Sequence, residues 1–221
     1  MSAMTKIYFI RHGKTEWNLA SRYQGAHGDS PLLPESLTEI KLLAKYLAPV
    51  KFAHAYVSPL LRAQTTAKEL IAALPQPVPM TTDERLREFD LGKMEGMRFA
   101  DVAKRWPTIQ ENFHHHADLY DEQIIGGESF SAVIARFKEA IGEYVAMIPE
   151  QNILVVSHGA ALNAGINGLL GLPLAHLKDK GGLSNTSTTI LSTVDGKSYQ
   201  LLQWNETGYL HKTKVDPTDT I

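Results

Sequence analysis

Asn152-Ile153-Leu154-Val155-Val156-Ser157-His158-Gly159 is the stretch on which the fold turns. Ile153 to Val156 is short, wholly apolar and rich in β-branched residues, which predicts a strand buried on both faces. Polar Ser157 and His158 end it, and Gly159 opens a helical pattern that closes at Gly171 and Pro173. A buried strand feeding straight into a helix belongs to a parallel sheet covered on both sides.

The same pattern recurs towards the N-terminus. Lys6 to Ile10 reads as a buried strand that stops at Arg11-His12-Gly13. Ala53 to Val57 reads as a second strand, running into Ser58-Pro59. There Ser58 suits a helix N-cap and Pro59 the first helical position, with the helix continuing through Arg62 to about Leu74. Ser36-Leu37-Thr38-Glu39 has the spacing of a capping box, and Leu37, Ile40, Leu43, Ala44 and Leu47 recur at helical intervals up to Pro49. Val78 to Thr82 predicts a short strand, and a long helix starts near Ser129 with Phe130, Val133, Ile134, Phe137, Ile141, Tyr144, Val145 and Ile148 on one stripe, ended by Pro149. Thr188 to Val194 and Tyr199 to Trp204 flank Asp195-Gly196 as an edge hairpin. Together these elements predict a three-layer α/β/α sandwich with a mostly parallel central sheet and an antiparallel edge.

Composition narrows the function. The chain has 221 residues with Lys+Arg 22 against Asp+Glu 24, a net charge of −2, and no stretch that reads as a linker. One domain over residues 1–221 is expected. Near-neutral charge argues against nucleic acid or an anionic membrane as a partner, so any anion site must be a local gathering of cations. The absence of Cys excludes a thiolate nucleophile, a disulfide scaffold and Cys-based zinc sites. With no signal-peptide pattern or membrane-length apolar run, a cytoplasmic location is expected. The pattern is compatible with a homo-oligomer but does not specify one.

Cations gather at three strand ends: Arg11-His12-Gly13, Ser58 to Arg62, and Ser157-His158-Gly159. In an open α/β sheet ligands sit beyond the carboxyl ends of the strands, where helix N-termini also point. Two arginines and two histidines converging there predict a pocket for a compact anion such as phosphate. Taken singly, each has a plainer reading: a packed Arg-His pair, or a hydrogen-bonded structural histidine. Arg62 is different, because a cation at a helix start meets the positive end of the dipole, a misfit that an anion would relieve. Gly13-Lys14-Thr15 invites a P-loop reading, but the glycine required five residues earlier is Tyr8.

These residues lie in motifs that resemble the histidine phosphatase superfamily, also called phosphoglycerate mutase-like. Arg11-His12-Gly13-Lys14-Thr15-Glu16-Trp17-Asn18 is similar to the family's Arg-His-Gly-x-Thr-x-x-Asn. Gln24-Gly25, Ser58 to Ala67, Leu86-Arg87-Glu88-Phe89 with Gly92 and Glu95-Gly96, Gly127-Glu128-Ser129 and Ser157-His158-Gly159 follow in the family's order. The resemblance implies that His12 is the nucleophile, forming a phosphohistidine that water hydrolyses. It also implies that Arg11, Arg62 and His158 hold the phosphoryl group without a metal or other cofactor, and that Glu88 donates the proton to the leaving group. Asn18, Thr15, Gln24, Gly159 and the Gly25 amide are then further phosphate or substrate contacts, Thr15 mainly as an orienter of the loop.

The chain departs from the family's usual pattern at Leu33, Ser36 and Glu39-Ile40, which bears on local packing. Lys14 stands where Glu or Gln is frequent and adds a cation expected to favour polyanionic substrates. Mutases of the family usually carry Glu-Arg-His-Tyr-Gly around the proton donor. Arg87-Glu88-Phe89-Asp90-Leu91-Gly92 instead resembles the phosphatase branch, so hydrolysis of a small phosphorylated metabolite is the expected reaction. The alternatives are mutase-type transfer, or a silent phospholigand-binding module, whose mark would be loss of His12 or Glu88. The aromatic insertion at about 97–127 is expected to cover the pocket mouth. Within it, His114-His115-His116 reads as a solvated or partly packed run, since adjacent side chains cannot all face one ion.

Overall fold

The computed structural model describes residues 4–212. Its strands are β1 (Thr5–Arg11), β2 (Phe52–Val57), β3 (Met80–Thr82), β4 (Asn152–Ser157), β5 (Thr188–Thr193) and β6 (Gln200–Glu206). They form one sheet in the order β3-β2-β4-β1-β5-β6. β1 to β4 pair in parallel, while β5 runs antiparallel to β1 and β6 antiparallel to β5. The helices are α1 (Glu16–Leu19), α2 (Pro34–Leu47), α3 (Leu61–Ala73), α4 (Phe99–Arg105), α5 (Pro107–His115), α6 (Phe130–Met147) and α7 (Gly159–Leu169).

The period-2 alternation of each central strand feeds two cores. Tyr8, Ile10, Ala55, Val57, Leu154 and Val156 point to one face, where Ile40, Leu43 and Leu47 of α2 and Ala63, Ala67 and Leu70 of α3 cover them. Ile7, Phe9, Tyr56, Ile153 and Val155 point to the other, under Phe137, Ile141 and Tyr144 of α6 and Leu162 and Ile166 of α7. That is the three-layer sandwich. A third apolar cluster lies outside the sheet, joining Val102 of α4, Ile109 and Phe113 of α5, Phe130 and Val133 of α6, and Ala160, Ala161 and Ala164 of α7. No helix among the described residues is long and apolar enough to cross a membrane.

Three local expectations are corrected. Ser36 and Glu39 do not form a capping box, because α2 starts at Pro34 and both lie inside it. Their polar groups serve distant chain instead: Ser36 Oγ donates to the Lys14 carbonyl at 2.8 Å, and Glu39 accepts from Thr186 Oγ1 at 3.1 Å. Ser58 and Pro59 do not start α3, whose N-cap is Leu60. Asp29 from a remote loop takes the role, accepting from the amides of Leu61 at 2.5 Å and Arg62 at 3.4 Å. The β3 strand is shorter than expected, beginning at Met80 instead of Val78.

Candidate active site

Sheet register sets the site. Arg11 of β1 is the Cα partner of Ser157 of β4, and Val57 of β2 that of Val156. The next residues along, His12, His158 and Ser58, therefore emerge side by side from three adjacent parallel strands. The His12 amide donates to the Ser157 carbonyl at 3.0 Å and the Ser58 amide to the Val156 carbonyl at 3.0 Å, carrying the ladder one step past the strands.

His12 is 4% exposed, and its Nδ1 lies 2.7 Å from the Gly13 carbonyl. A carbonyl only accepts, so Nδ1 carries the ring proton and Nε2 keeps its lone pair. Burial, then the charges of Arg62 and Arg11, holds the imidazole's pKa well below the usual histidine value. A neutral, oriented imidazole is the form that can attack phosphorus. The ring of His158 stands 5.1 Å away, centroid to centroid, at 59°. His158 is fully buried, with Nε2 2.6 Å from Ser58 Oγ. Burial and the charge of Arg62 keep it neutral as well.

The arginines are held from behind. Arg62 Nη1 donates to the Gly28 carbonyl at 2.8 Å and to Asp29 Oδ1 at 3.2 Å, and Nη2 donates to the Gly25 carbonyl at 3.0 Å. The misfit of a cation at the start of α3 is thus relieved first by Asp29, which caps the helix and pairs with the guanidinium. Arg11 Nη1 donates to the Leu183 carbonyl. Its guanidinium passes so close to α7 that a Cβ on Gly159 would lie 3.0 Å from Arg11 Cζ, so the glycine makes room for the arginine.

Glu88, 4% exposed, is bound at the start of α7. Its Oε1 accepts from the amides of Phe89 at 2.9 Å and Ala161 at 2.7 Å, and Oε2 from that of Ala160 at 3.1 Å. Those bonds and Arg62 favour the carboxylate, but burial outweighs them and raises the pKa above the usual glutamate value. Glu88 is not a solvated carboxylate, and neither neighbouring arginine pairs with it. Arg85 pairs with Asp83, Glu139 and Glu143, while Arg87 approaches Glu128 at 3.9 Å.

The remaining expected contacts divide. Thr15 caps α1 in a true capping box with Asn18, and its Oγ1 lies 2.9 Å from Gln24 Oε1. Thr15, Asn18 and Gln24 are all buried around the His12 loop. Gly25 is not as expected, since its amide is taken by Glu95 Oε2 at 3.0 Å and is not offered to a ligand. Sequence reasoning missed several supports. Thr66 Oγ1 accepts the Gly13 amide at 3.0 Å, Asn185 Nδ2 donates to the His12 carbonyl at 3.0 Å, and Arg136 clamps the Glu88 segment. Of these only Thr66 stood in one of the motifs, between Ser58 and Ala67.

Several buried polar atoms in this group have no protein partner: Arg62 Nε, Gln24 Nε2 and His158 Nδ1. Two of the three are fixed N–H donors and the third can be one, so a compact oxyanion among them would satisfy what the protein leaves open. Among the described residues no group of three or more His, Asp or Glu is arranged to hold a metal. In the histidine run, His114 turns inward, its Nε2 2.8 Å from Tyr23 Oη, while His115 and His116 are exposed.

Comparisons with known proteins identify the family. The family model described as "Histidine phosphatase superfamily (branch 1)" matches residues 7–207. A protein of Serratia proteamaculans (strain 568) named "Probable phosphoglycerate mutase GpmB" is 35% identical, over 97% of this chain and 94% of its own. The structure of YhfR from Bacillus stearothermophilus superposes with a TM-score of 0.85 at 32% identity, covering 93% of this chain and 99% of the other. A mycobacterial glucosyl-3-phosphoglycerate phosphatase superposes with a TM-score of 0.82 at 29% identity, over 92% of this chain and 100% of the other. With a family model matching residues 7–207 and a relative that is 35% identical over 97% of the chain's length, the chain belongs to the histidine phosphatase superfamily.

Proposed function

We propose that this protein hydrolyses phosphomonoesters of small metabolites through a phosphohistidine intermediate. The observation that carries this reading is the bond from His12 Nδ1 to the Gly13 carbonyl, which leaves Nε2 unprotonated on a ring 5.1 Å from that of His158. In the first step the Nε2 lone pair forms the N–P bond as the P–O ester bond breaks, and Glu88 gives its proton to the departing alkoxide. The Gly13 carbonyl steadies the cationic ring. In the second, water forms a P–O bond, its proton passes to Glu88, and the N–P electron pair returns to Nε2. Arg11, Arg62 and His158 hold the phosphoryl oxygens throughout, with Asn18, Gln24 and the start of α7 at Gly159 around them. The helical segment at about 97–127 closes over the leaving-group side.

The test is turnover of p-nitrophenyl phosphate by the wild type and by His12→Ala, together with acid-labile labelling from a radioactive phosphoester. An active wild type, a dead variant and a label lost with His12 support the reading. A folded wild type silent on a phosphoester panel refutes it in favour of a binding module.

Mutase-type transfer is the second reading, favoured by the name of the Serratia relative. The residue after the proton donor argues for water as acceptor: Phe89 is fully buried among Phe113 and Phe130, so the mutase-like polar pattern is absent here. Incubation with 3-phosphoglycerate separates them, since phosphate release marks a phosphatase and 2-phosphoglycerate a mutase.

A further inference from the structure

One cation beside the site has no task in the reaction above. Lys178 follows Leu177, which is buried in the third apolar cluster against Ala160 and Ala161. Its Nζ lies 5.4 Å from the Phe113 ring centroid and 5.0 Å from that of Phe130. Among the described residues it has no hydrogen bond or ion pair. Lys178 is half-buried, and an ammonium drawn partly out of water without a counter-ion is costly, a cost that aromatic faces offset only in part. The cost shows in its pKa, which burial lowers to about 8 against the opposing charge of Glu88.

The neighbours of Lys178 fix which side of the site it serves. Glu88 and His114 both feel its charge. Glu88 is the group assigned to the leaving oxygen, and His114 belongs to the covering segment. A hydroxyl on the same aromatic wall, Tyr120 Oη, is buried without a partner, with its ring 5.3 Å from Phe113 and 5.4 Å from Phe130. An ammonium and a hydroxyl without protein partners thus share an aromatic wall that packs on Phe89, the residue next to Glu88.

We propose that Lys178 is a specificity-determining residue whose ammonium, held over Phe113 and Phe130 beside Glu88, binds a second anionic group on the leaving alcohol of the substrate. This rests on the phosphatase reading and narrows it to phosphorylated acids and bisphosphates, in which a carboxylate or second phosphate completes the cation.

The test compares matched substrates that differ only in that group: 3-phosphoglycerate against glycerol 3-phosphate, and fructose 1,6-bisphosphate against fructose 6-phosphate. The wild type is expected to favour the anionic member of at least one pair in kcat/KM by about tenfold or more, the worth of one charged hydrogen bond. The pair that shows the preference tells carboxylate from phosphate. Lys178→Met, which keeps the aliphatic stem on the rings, should collapse that preference, chiefly through KM, and Lys178→Arg should restore part of it.

A wild-type ratio near one for both pairs overturns the proposal however the variants behave. A ratio that persists in Lys178→Met overturns it too. If p-nitrophenyl phosphate is turned over while the ratios are flat, only this inference fails. If nothing is turned over, the phosphatase reading fails with it.

Discussion

Ser58 Oγ lies 2.6 Å from His158 Nε2, close enough for the hydroxyl to donate to that nitrogen. Ser58 already accepts the Leu60 amide at 3.3 Å, so its own proton is available to Nε2. The imidazole proton then sits on Nδ1, the nitrogen with no protein partner, where it can meet a phosphoryl oxygen. Ser58→Ala is expected to lower kcat about fivefold, in line with one hydrogen bond of about 1 kcal/mol, with Ser58→Thr recovering most of it. Steady-state kinetics check this, and an unchanged kcat in Ser58→Ala would separate Ser58 from the chemistry.

Glu88 is expected to matter in proportion to how poor the leaving group is. Glu88→Gln should slow an alkyl phosphate by about 10² to 10⁴, the usual contribution of a positioned acid, and slow p-nitrophenyl phosphate far less, because nitrophenolate departs without a proton. The wild-type rate with alkyl phosphates should fall on the alkaline side as Glu88, with its raised pKa, loses its proton. Equal losses on both substrates would count against the assignment.

Gly159→Ala tests the close passage of Arg11. The new methyl would lie 3.0 Å from the guanidinium carbon, and the neighbouring backbone belongs to a helix that cannot move away. The arginine must shift, so kcat/KM should fall by about 10- to 100-fold, as expected for lost or misaligned charged hydrogen bonds. Circular dichroism should show the fold intact.

Acid should destabilise the protein through its buried histidines. The folded-state pKa values of His12 and His158 are depressed, so the unfolded chain takes up protons first as pH drops below about 6.5. The stability they contribute is full above that pH and is lost on descent at about 1.4 kcal/mol per pH unit for each ring. His114, lowered to about 4, adds to the same slope over that window. Tm measured between pH 7 and pH 5 should fall less steeply in His158→Gln than in the wild type.

Arg136 is expected to be a keystone of the Glu88 segment. It donates to the carbonyls of Arg85 at 2.6 Å, Arg87 at 2.8 Å and Glu88 at 3.3 Å, and pairs with Glu128 at 2.8 Å. Arg136→Leu strands a largely buried carboxylate and three carbonyls, so a loss of about 3 kcal/mol is expected in urea unfolding. A loss below about 1 kcal/mol, the worth of an exposed ion pair, would show the clamp to be dispensable.

What could be read from the sequence and what could not differ in range. Ile7 to Ile10 and Ile153 to Val156 announce themselves because burial on both faces needs unbroken apolar residues, a local property. Arg11, His12 and His158 stand out because polar residues end those strands at once. Partners across the fold leave no such trace. Nothing near Arg62 shows that Asp29 caps its helix, or that Glu95 occupies the Gly25 amide. The expected capping box at Ser36 and Glu39 failed for the same reason, since the Lys14 carbonyl and the Thr186 hydroxyl offered those side chains better partners than the local backbone. Lys178 shows the limit most clearly, because a lone lysine in a loop becomes notable only once two phenyl rings are found beneath it.

The position of β4 between β2 and β1 has a consequence for how the chain is made. A ribosome delivers the two flanking strands early and the one that joins them only after some hundred further residues, so the nascent sheet must wait with two bare apolar edges facing a gap. Neither side of the gap can close by itself, and His12 has no neighbouring ring until β4 slides in between. Assembly of the sheet and assembly of the catalytic pair are one event, so stalled or truncated synthesis should yield sticky, inert fragments in place of partly active ones.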